Sequence, residues 1–173
     1  LGQWKETIIQ DKSRTDGGAE LSEKSPEKKR QFYSQILKNG VRSQQEEELF
    51  LQYSPGARSC SQFIVCCCVM YAAVTPETEG RDVTPCAIDN ILDEFFQELP
   101  FYENQQPNPP ERMILLGFPN RRSANIETIL HYWNKINSVL KTHLNITCSC
   151  AVSQPFEHFK QLPKAYSLAR ERL

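Results

Sequence analysis

Residues 63–74 read FIVCCCVMYAAV, an apolar run with three adjacent cysteines at its centre. Periodicity alone does not separate a buried helix from a buried strand in such a run. The stretch from Arg58 to Val74 is longer than the usual strand of about five or six residues, and helix signals flank it on both sides. We therefore predict a helix that is buried on nearly all sides and forms the centre of the fold.

The cysteine triplet does not have the geometry of a metal site. Successive side chains of a helix point about 100° apart, so Cys66, Cys67 and Cys68 cannot all bind one tetrahedral ion. In a strand, Cys67 would face away from the other two. We predict that these thiols pack in the core, where cysteine acts as a small hydrophobic residue. The run is also too short to span a membrane, because it would cover roughly 18 Å of the roughly 30 Å of hydrocarbon.

Length, composition and charge describe one domain without a strong electrostatic preference. The chain has 173 residues, of which 39% are hydrophobic, and this is enough for one sizeable core. Its 20 basic and 21 acidic residues give a net charge of −1, so no overall field attracts nucleic acid or an acidic membrane. We predict a polar, poorly ordered linker or docking segment over residues 1–24 and a single domain over residues 25–173. The missing initial methionine and the helical pattern at the end suggest a fragment of a longer protein.

Capping residues and apolar spacing predict helices around the central run. Ser25-Pro26 and Gly40 bound the first helix, and Ser43 begins a capping box for a second helix that ends at Ser54. Further helices are predicted over the ranges 85–99, 126–144, 154–162 and 163–173. Because short connections favour antiparallel neighbours, we predict an all-α fold of six or seven helices in hairpin pairs. Such a fold is an irregular bundle or a short helical-repeat module.

Two segments between these helices have other patterns. The proline-rich stretch 101–112 predicts an exposed, extended connection. The short apolar run 113–118 fits a strand or a turn of helix equally well, and the sequence leaves both open.

The cysteine count indicates a reducing environment. The chain has 7 cysteines, an odd number, which does not suit a framework of disulfides. We predict reduced thiols and an intracellular location, in the cytoplasm or the nucleus. Asn145-Ile146-Thr147 is a formal glycosylation acceptor and leaves an extracellular alternative open.

A second group of residues has the ligand types of a structural zinc site: His143, Cys148, Cys150 and His158. Their spacing differs from the familiar pattern, because a single residue separates the two cysteines, and we predict no metal and no cofactor. A nucleophilic pair of Cys150 and His158 can also be drawn. The glycines form no phosphate-binding loop, so we predict that the chain is not itself an enzyme.

Four prolines follow a serine or a threonine, at Ser25, Ser54, Thr75 and Thr84. Each site lies at a predicted helix boundary, where capping explains the residue types. Phosphorylation by proline-directed kinases is an alternative that the sequence leaves open. A phosphate on Ser25 or Thr84 would lie at a helix N-terminus, where its charge is tolerated.

We predict a non-catalytic interaction module, an adaptor or scaffold domain of a larger intracellular protein. Its expected partner is another protein, an amphipathic peptide laid between two helices, or the remaining parts of the same polypeptide. The candidate binding residues are surplus apolar side chains and a pair of arginines: Phe50, Leu51, Tyr53, Phe101, Tyr102, Arg121 and Arg122. The two arginines are suited to hold a phosphate or an acidic peptide beside a helix N-terminus.

Two other functions are kept as alternatives. The chain fits part of an enzyme or regulatory domain whose catalytic residues lie outside this fragment. A nucleic-acid-associated helical domain is suggested by the basic residues at the first helix start, where positive charge opposes the helix dipole: Lys24, Lys28, Lys29 and Arg30. The near-zero net charge and the few interleaved aromatic residues disfavour nucleic acid.

Overall fold

The computed structural model describes residues 25–72 and 85–173, and these residues form five α-helices and a four-stranded antiparallel sheet. The helices are α1 (Pro26–Asn39), α2 (Gln44–Tyr53), α3 (Pro85–Phe96), α4 (Ile126–Leu144) and α5 (Leu162–Arg170). The strands are β1 (Gln62–Ala72), β2 (Phe101–Asn108), β3 (Glu111–Phe118) and β4 (Ile146–Val152). Short 3-10 turns cover Pro55–Ser59 and Phe159–Gln161.

The predicted all-α fold is wrong, because the central run is a strand. β1 has 11 residues and lies between β3 and β4 in a sheet of order β2-β3-β1-β4. Cys67 packs on one face of the sheet, and Cys66 and Cys68 pack on the other. A strand that is covered on both faces is apolar at nearly every position. A buried helix has the same continuous apolar sequence, so the pattern did not distinguish the two. The prediction that the three thiols lie in the core is confirmed, since none is exposed.

Helices cover both faces of the sheet. The face with Cys67 packs against α1, α2 and α5, and its aromatic residues are in close contact: the rings of Phe50 and Phe159 lie 4.0 Å apart. The opposite face packs against α3 and α4, with Trp133 and Leu140 in its core. The described residues therefore form three layers, helix on sheet on helix, around β1.

Three further segments, which were predicted as a connection, as a strand or helix turn, and as a helix, all take part in the sheet. The stretch 101–112, predicted as an exposed connection, forms β2 and the turn into β3. The open run 113–118 is a strand, and all of β3 is buried. The helix predicted over 154–162 is wrong, because Phe156 exchanges backbone hydrogen bonds of 2.8 and 2.9 Å with Phe63 and so extends the sheet.

The local helix signals are confirmed where they lie in the described residues. Ser25 accepts the N–H of Lys28 at 3.3 Å and caps α1, which ends at Gly40 with a φ of 73°. Ser43 caps α2, and Asn125 caps α4. The polar segment predicted over residues 1–24 lies outside the described residues.

Gly117 is required where β2, β3 and the turn before β1 meet. A Cβ atom at this position would lie 2.7 Å from Cys60 Sγ and 2.9 Å from the Cβ of Phe101. Any side chain here would therefore push β2 away from β3. In the part of the chain that the structure describes, no helix is long and apolar enough to cross a membrane.

Candidate functional site

The two edge strands of the sheet differ in how they are protected against pairing with another chain. β2 carries Glu103 and Pro107, and its register with β3 is irregular between Gln105 and Asn108. Charge, proline and irregular register are features that discourage further strand pairing. β4 reads ITCSCAV and contains neither a charged residue nor a proline. β4 is therefore the less protected edge.

The hydrogen bonds of β4 show which of its backbone groups point outward. Ser153 donates its N–H to the carbonyl of Val65 at 2.9 Å, which makes these residues a hydrogen-bonded pair. Hydrogen-bonded and non-hydrogen-bonded pairs alternate along an antiparallel ladder. Cys68 and Cys150, which are opposite each other, are therefore a non-hydrogen-bonded pair. The N–H and C=O groups of Cys150 and Val152 point away from β1.

Asn137 of α4 supports this assignment independently. Its side-chain oxygen accepts the N–H of Cys148 at 2.9 Å, from the side opposite β1. One outward group of β4 is thus satisfied by the neighbouring helix. Within the described ranges, the outward N–H groups of Cys150 and Val152 have no hydrogen-bond partner.

A cleft of about 210 Å³ opens where β4 ends. The segment 153–156 lines one side, and residues of α5 line the other. Leu168 in this lining is 44% exposed, a large fraction for a leucine. The two charged lining residues, Lys164 and Arg172, are both basic. The cleft therefore offers apolar contact together with positive charge.

Four thiols lie together on the α3 and α4 side of the sheet: Cys66, Cys68, Cys148 and Cys150. Burial raises the pKa of Cys150. The neighbouring Cys148 thiol, and then burial, raise the pKa of Cys68. The pKa of Cys148 is lowered, because the Cys68 thiol donates a hydrogen bond to it. None of the chain's cysteines forms a disulfide in the structure.

The predicted ligand types do not form a metal site. Among the residues that the structure describes, no group of three or more histidine, cysteine, aspartate or glutamate side chains has the arrangement to hold a metal ion. His143 is exposed in the last turn of α4, whereas Cys148 and Cys150 lie on β4. His158 is exposed and begins the 3-10 turn before α5.

Arg112 is a buried charge that ties α3 to the sheet. Its Nη1 atom lies 2.5 Å from Asp89 Oδ1 and 3.4 Å from Asn104 Oδ1. Its side chain is 4% exposed, whereas that of Asp89 is 43% exposed. The acidic side of α3 therefore has a structural role at Asp89.

Two other polar clusters hold the helices on the opposite face. Glu111 is buried and accepts hydrogen bonds from Tyr166 and, at 3.0 Å, from Arg170. Burial, and then the bond to Glu111, raise the pKa of Tyr166. These contacts fix α5 to β3, so we assign them to folding rather than to ligand binding.

Glu103 of β2 is the centre of the third cluster. It lies 2.7 Å from Lys29 Nζ, and it accepts a hydrogen bond of 3.3 Å from Ser54. Ser54 in turn is 2.5 Å from the hydroxyl of Tyr33, whose pKa is raised by burial and by the charge of Glu103. The basic residue at the start of α1 is thus partly explained by an ion pair with β2.

The residues predicted to bind a partner are dispersed in the fold. Phe50 is 0% exposed and Phe101 is 5% exposed, and their rings are in contact within the core. Leu51 and Tyr53 are partly buried against the same core, and Tyr102 is partly buried on the opposite face. Phe50 and Phe101 are therefore core residues of the face that packs against α1, α2 and α5.

Arg121 and Arg122 are exposed in the turn before α4. Asn120 orders this turn by accepting the N–H groups of Arg122 and Ser123 at 3.0 and 3.1 Å. A binding role for these residues stays a prediction, as it does for the apolar set.

The proposed phosphorylation sites fall into two groups. Ser25 caps α1, and Ser54 is 2% exposed and hydrogen-bonded inside the third polar cluster. Thr75 and Thr84 lie outside the described residues. Lys24, from the basic group at the start of the first helix, lies outside them as well.

No protein-family model matches the chain, and no curated protein matches its sequence. The described residues form an α/β domain whose β4 edge is the less protected of its two sheet edges and adjoins a basic, apolar cleft. The strand β4 could have been predicted from the sequence. Thr147 and Ser149 alternate with apolar residues in ITCSCAV, a pattern typical of a strand with one exposed face.

Proposed function

We propose that this chain is a protein-interaction domain, an adaptor or scaffold part of a larger protein, which binds an extended peptide of a partner along β4. The observation that carries the proposal is the pair of outward, unpartnered N–H groups at Cys150 and Val152, within the described ranges, on an edge without charge or proline. Strand addition uses such groups for affinity and side-chain pockets for specificity. No catalytic step is part of this proposal.

The cleft indicates the chemistry of the peptide. A strand added to β4 and running past Val152 comes next to the cleft that begins at Ser153. Leu168 offers apolar contact there, while Lys164 and Arg172 attract negative charge. The preferred partner is therefore an extended segment that carries apolar and acidic side chains.

An intracellular location, in the cytoplasm or the nucleus, is part of the proposal. It is supported by the odd number of cysteines, 7, and by the three consecutive ones, which do not suit a framework of disulfides.

The test selects peptides from a random display library with the full chain and compares two variants at one position. Val152→Pro removes the outward N–H but is compatible with an edge strand, and Val152→Ala removes side-chain atoms and keeps the N–H. We expect selected peptides to lose at least about tenfold in affinity for Val152→Pro and to bind Val152→Ala within about threefold of the unchanged chain. Equal binding to both variants, or no selected peptide, would refute strand addition at β4.

A second pair of variants tests the cleft. Leu168 and Leu130 are 44% and 43% exposed, but only Leu168 lines the cleft. Because both side chains are largely exposed, neither change to serine should unfold the domain. We expect Leu168→Ser to weaken peptide binding and Leu130→Ser to leave it unchanged.

A further inference from the structure

We propose that Asn137 of α4 confines the partner peptide to the end of the β4 edge that adjoins the cleft. The inference rests on the proposed function, because it concerns the same edge. It adds a residue that determines specificity from a neighbouring helix, outside the strand that binds the peptide.

Asn137 occupies a position that an added strand would otherwise use. Such a strand bonds the outward N–H groups of β4, which belong to Cys148, Cys150 and Val152. The N–H of Cys148 already donates to Asn137 Oδ1 at 2.9 Å, and a backbone N–H carries one hydrogen. Within the described ranges, the donors left for a peptide carbonyl are those of Cys150 and Val152, next to the cleft.

The path of the chain explains why α4 supplies this contact. Asn145 follows α4 with a φ of 55° and turns the chain into β4. Asn137 precedes this turn by a rise of about 12 Å along the helix. Cys148 follows it by about 10 Å along the strand. The side chain on the helix and the N–H on the strand therefore lie at the same level.

The regular ladder stops at the other end of the free donors. Ser153 bonds to Val65, whereas Phe156 pairs with Phe63, so the chain after β4 carries one residue more than β1 over this stretch. This extra residue is a bulge, and Pro155 within it has no N–H. A bulge and a proline discourage further pairing, so an added strand leaves the edge here, at the cleft.

The contact of Asn137 with Cys148 therefore makes backbone pairing and cleft binding occur together. Without it, a peptide could pair with Cys148 and Cys150 and remain away from Leu168. With it, a peptide that pairs with both free donors is brought next to the cleft. The apolar and basic side chains of the cleft then decide which peptides bind, because backbone bonds do not depend on the peptide sequence.

The first part of the experiment measures amide hydrogen exchange at Cys148 by NMR in the free full chain. We expect exchange at least about tenfold faster in Asn137→Ala, because the acceptor is lost. Asn137→Asp should keep slow exchange, since a carboxylate oxygen can accept the same N–H. Asn134→Ala is the matched control, because Asn134 is exposed on the same helix and its side chain makes no hydrogen bond within the described ranges. Alanine favours helix, so both alanine variants should fold, which far-UV circular dichroism checks.

The second part selects one random peptide display library separately on the unchanged chain and on Asn137→Ala. Peptides from the unchanged chain should slow exchange at Cys150 and Val152. Selection on Asn137→Ala should also yield peptides that slow exchange at Cys148. We expect the latter peptides to bind the unchanged chain, Asn137→Asp and Asn134→Ala at least about fivefold more weakly, because all three keep the Cys148 N–H occupied.

Two failures are distinguishable. If no peptide slows exchange at Cys150 and Val152 of the unchanged chain, the proposed function is wrong, and the role of Asn137 falls with it. If such peptides exist but none selected on Asn137→Ala slows Cys148, or those that do bind the unchanged chain equally well, strand addition stands and the role of Asn137 is overturned. Fast exchange at Cys148 in the free unchanged chain would also overturn it.

Discussion

Cys67 lies at the centre of β1 and is an apolar core residue that also titrates. Burial, and then the charge of Glu111, raise the pKa of its thiol from 9.0 to about 12. The folded state therefore keeps its proton above pH 9.0, where the unfolded state begins to lose it. The stability linked to this thiol is fully present below pH 9.0 and is lost as the pH rises toward about 12.

We expect the free energy of unfolding of the unchanged chain to fall between these two pH values. Cys67→Ala should show a slope smaller by up to about 1.4 kcal/mol per pH unit, because one titrating group is removed. Val65→Ala is the matched control, since Val65 is equally buried on the same face of β1 and does not titrate. Urea unfolding at a series of pH values gives the slopes. Identical slopes for Cys67→Ala and the unchanged chain would contradict the assigned shift.

Asp89 illustrates a residue whose role depends on a contact far away in sequence. Asp89→Asn leaves the buried guanidinium of Arg112 without its carboxylate partner. We expect a loss of about 1 to 3 kcal/mol, less than for a fully buried pair, because Asp89 is 43% exposed. Glu94→Gln, on the exposed side of the same helix, should change stability by less than about 0.5 kcal/mol. Equal unfolding midpoints for Asp89→Asn and Glu94→Gln would show that the contact of Asp89 with Arg112 does not stabilise the fold.

The residues that could be predicted from sequence are those whose partners are local. Ser25, Ser43 and Asn125 cap helices by bonding backbone groups two or three residues away, and each is recognisable from its neighbours. The pairing of Arg112 with Asp89 has no such signal, because it forms only after the sheet has brought α3 and β3 together.

At the scale of elements, burial on both faces hides the period of β1. Its side chains alternate between two cores. Because both cores are apolar, the sequence of β1 shows no alternation of polar and apolar residues. β4 keeps a visible period of two, because Thr147 and Ser149 are exposed on its uncovered side. The periodic strand was therefore predictable, and the central strand was not.

The two sides of the β4 backbone should respond differently to proline. The N–H of Ala151 points toward β1 in a hydrogen-bonded pair with Cys67, whereas the N–H of Val152 points outward. We expect Ala151→Pro to be less stable than Val152→Pro by at least about 2 kcal/mol, because only the former breaks the ladder. Thermal and urea unfolding of both variants measure the difference. The reverse order of stability would contradict the register.

At the scale of the whole molecule, β1 contributes to both cores and couples them. Val65 belongs to one core and Trp133 to the other, so the two faces should unfold together. In a Trp4→Phe background, Val65→Ala should shift the fluorescence transition of Trp133 and the far-UV circular dichroism transition by equal amounts. A Trp133 transition that does not move would show that the two faces unfold separately.

The organisation of the whole molecule was the least predictable level. The helices α1, α2 and α4 follow from capping and spacing, but the packing of the helices on a sheet depends on pairings such as Cys67 with Met113 and Ala151. These pairings join segments far apart in the chain, and no local pattern specifies them. The candidate binding edge depends on the same pairings, because a strand is at the edge only with respect to its neighbours.

The most direct test of the account is amide hydrogen exchange, measured residue by residue by NMR along β4. We predict slow exchange at Ser149 and Ala151, whose N–H groups point toward β1, and fast exchange at Cys150 and Val152, whose N–H groups point outward. A bound peptide should slow the latter two selectively. Uniform protection along β4 in the free chain would contradict the open edge. Fast exchange at Ala151 would contradict the pairing of β4 with β1.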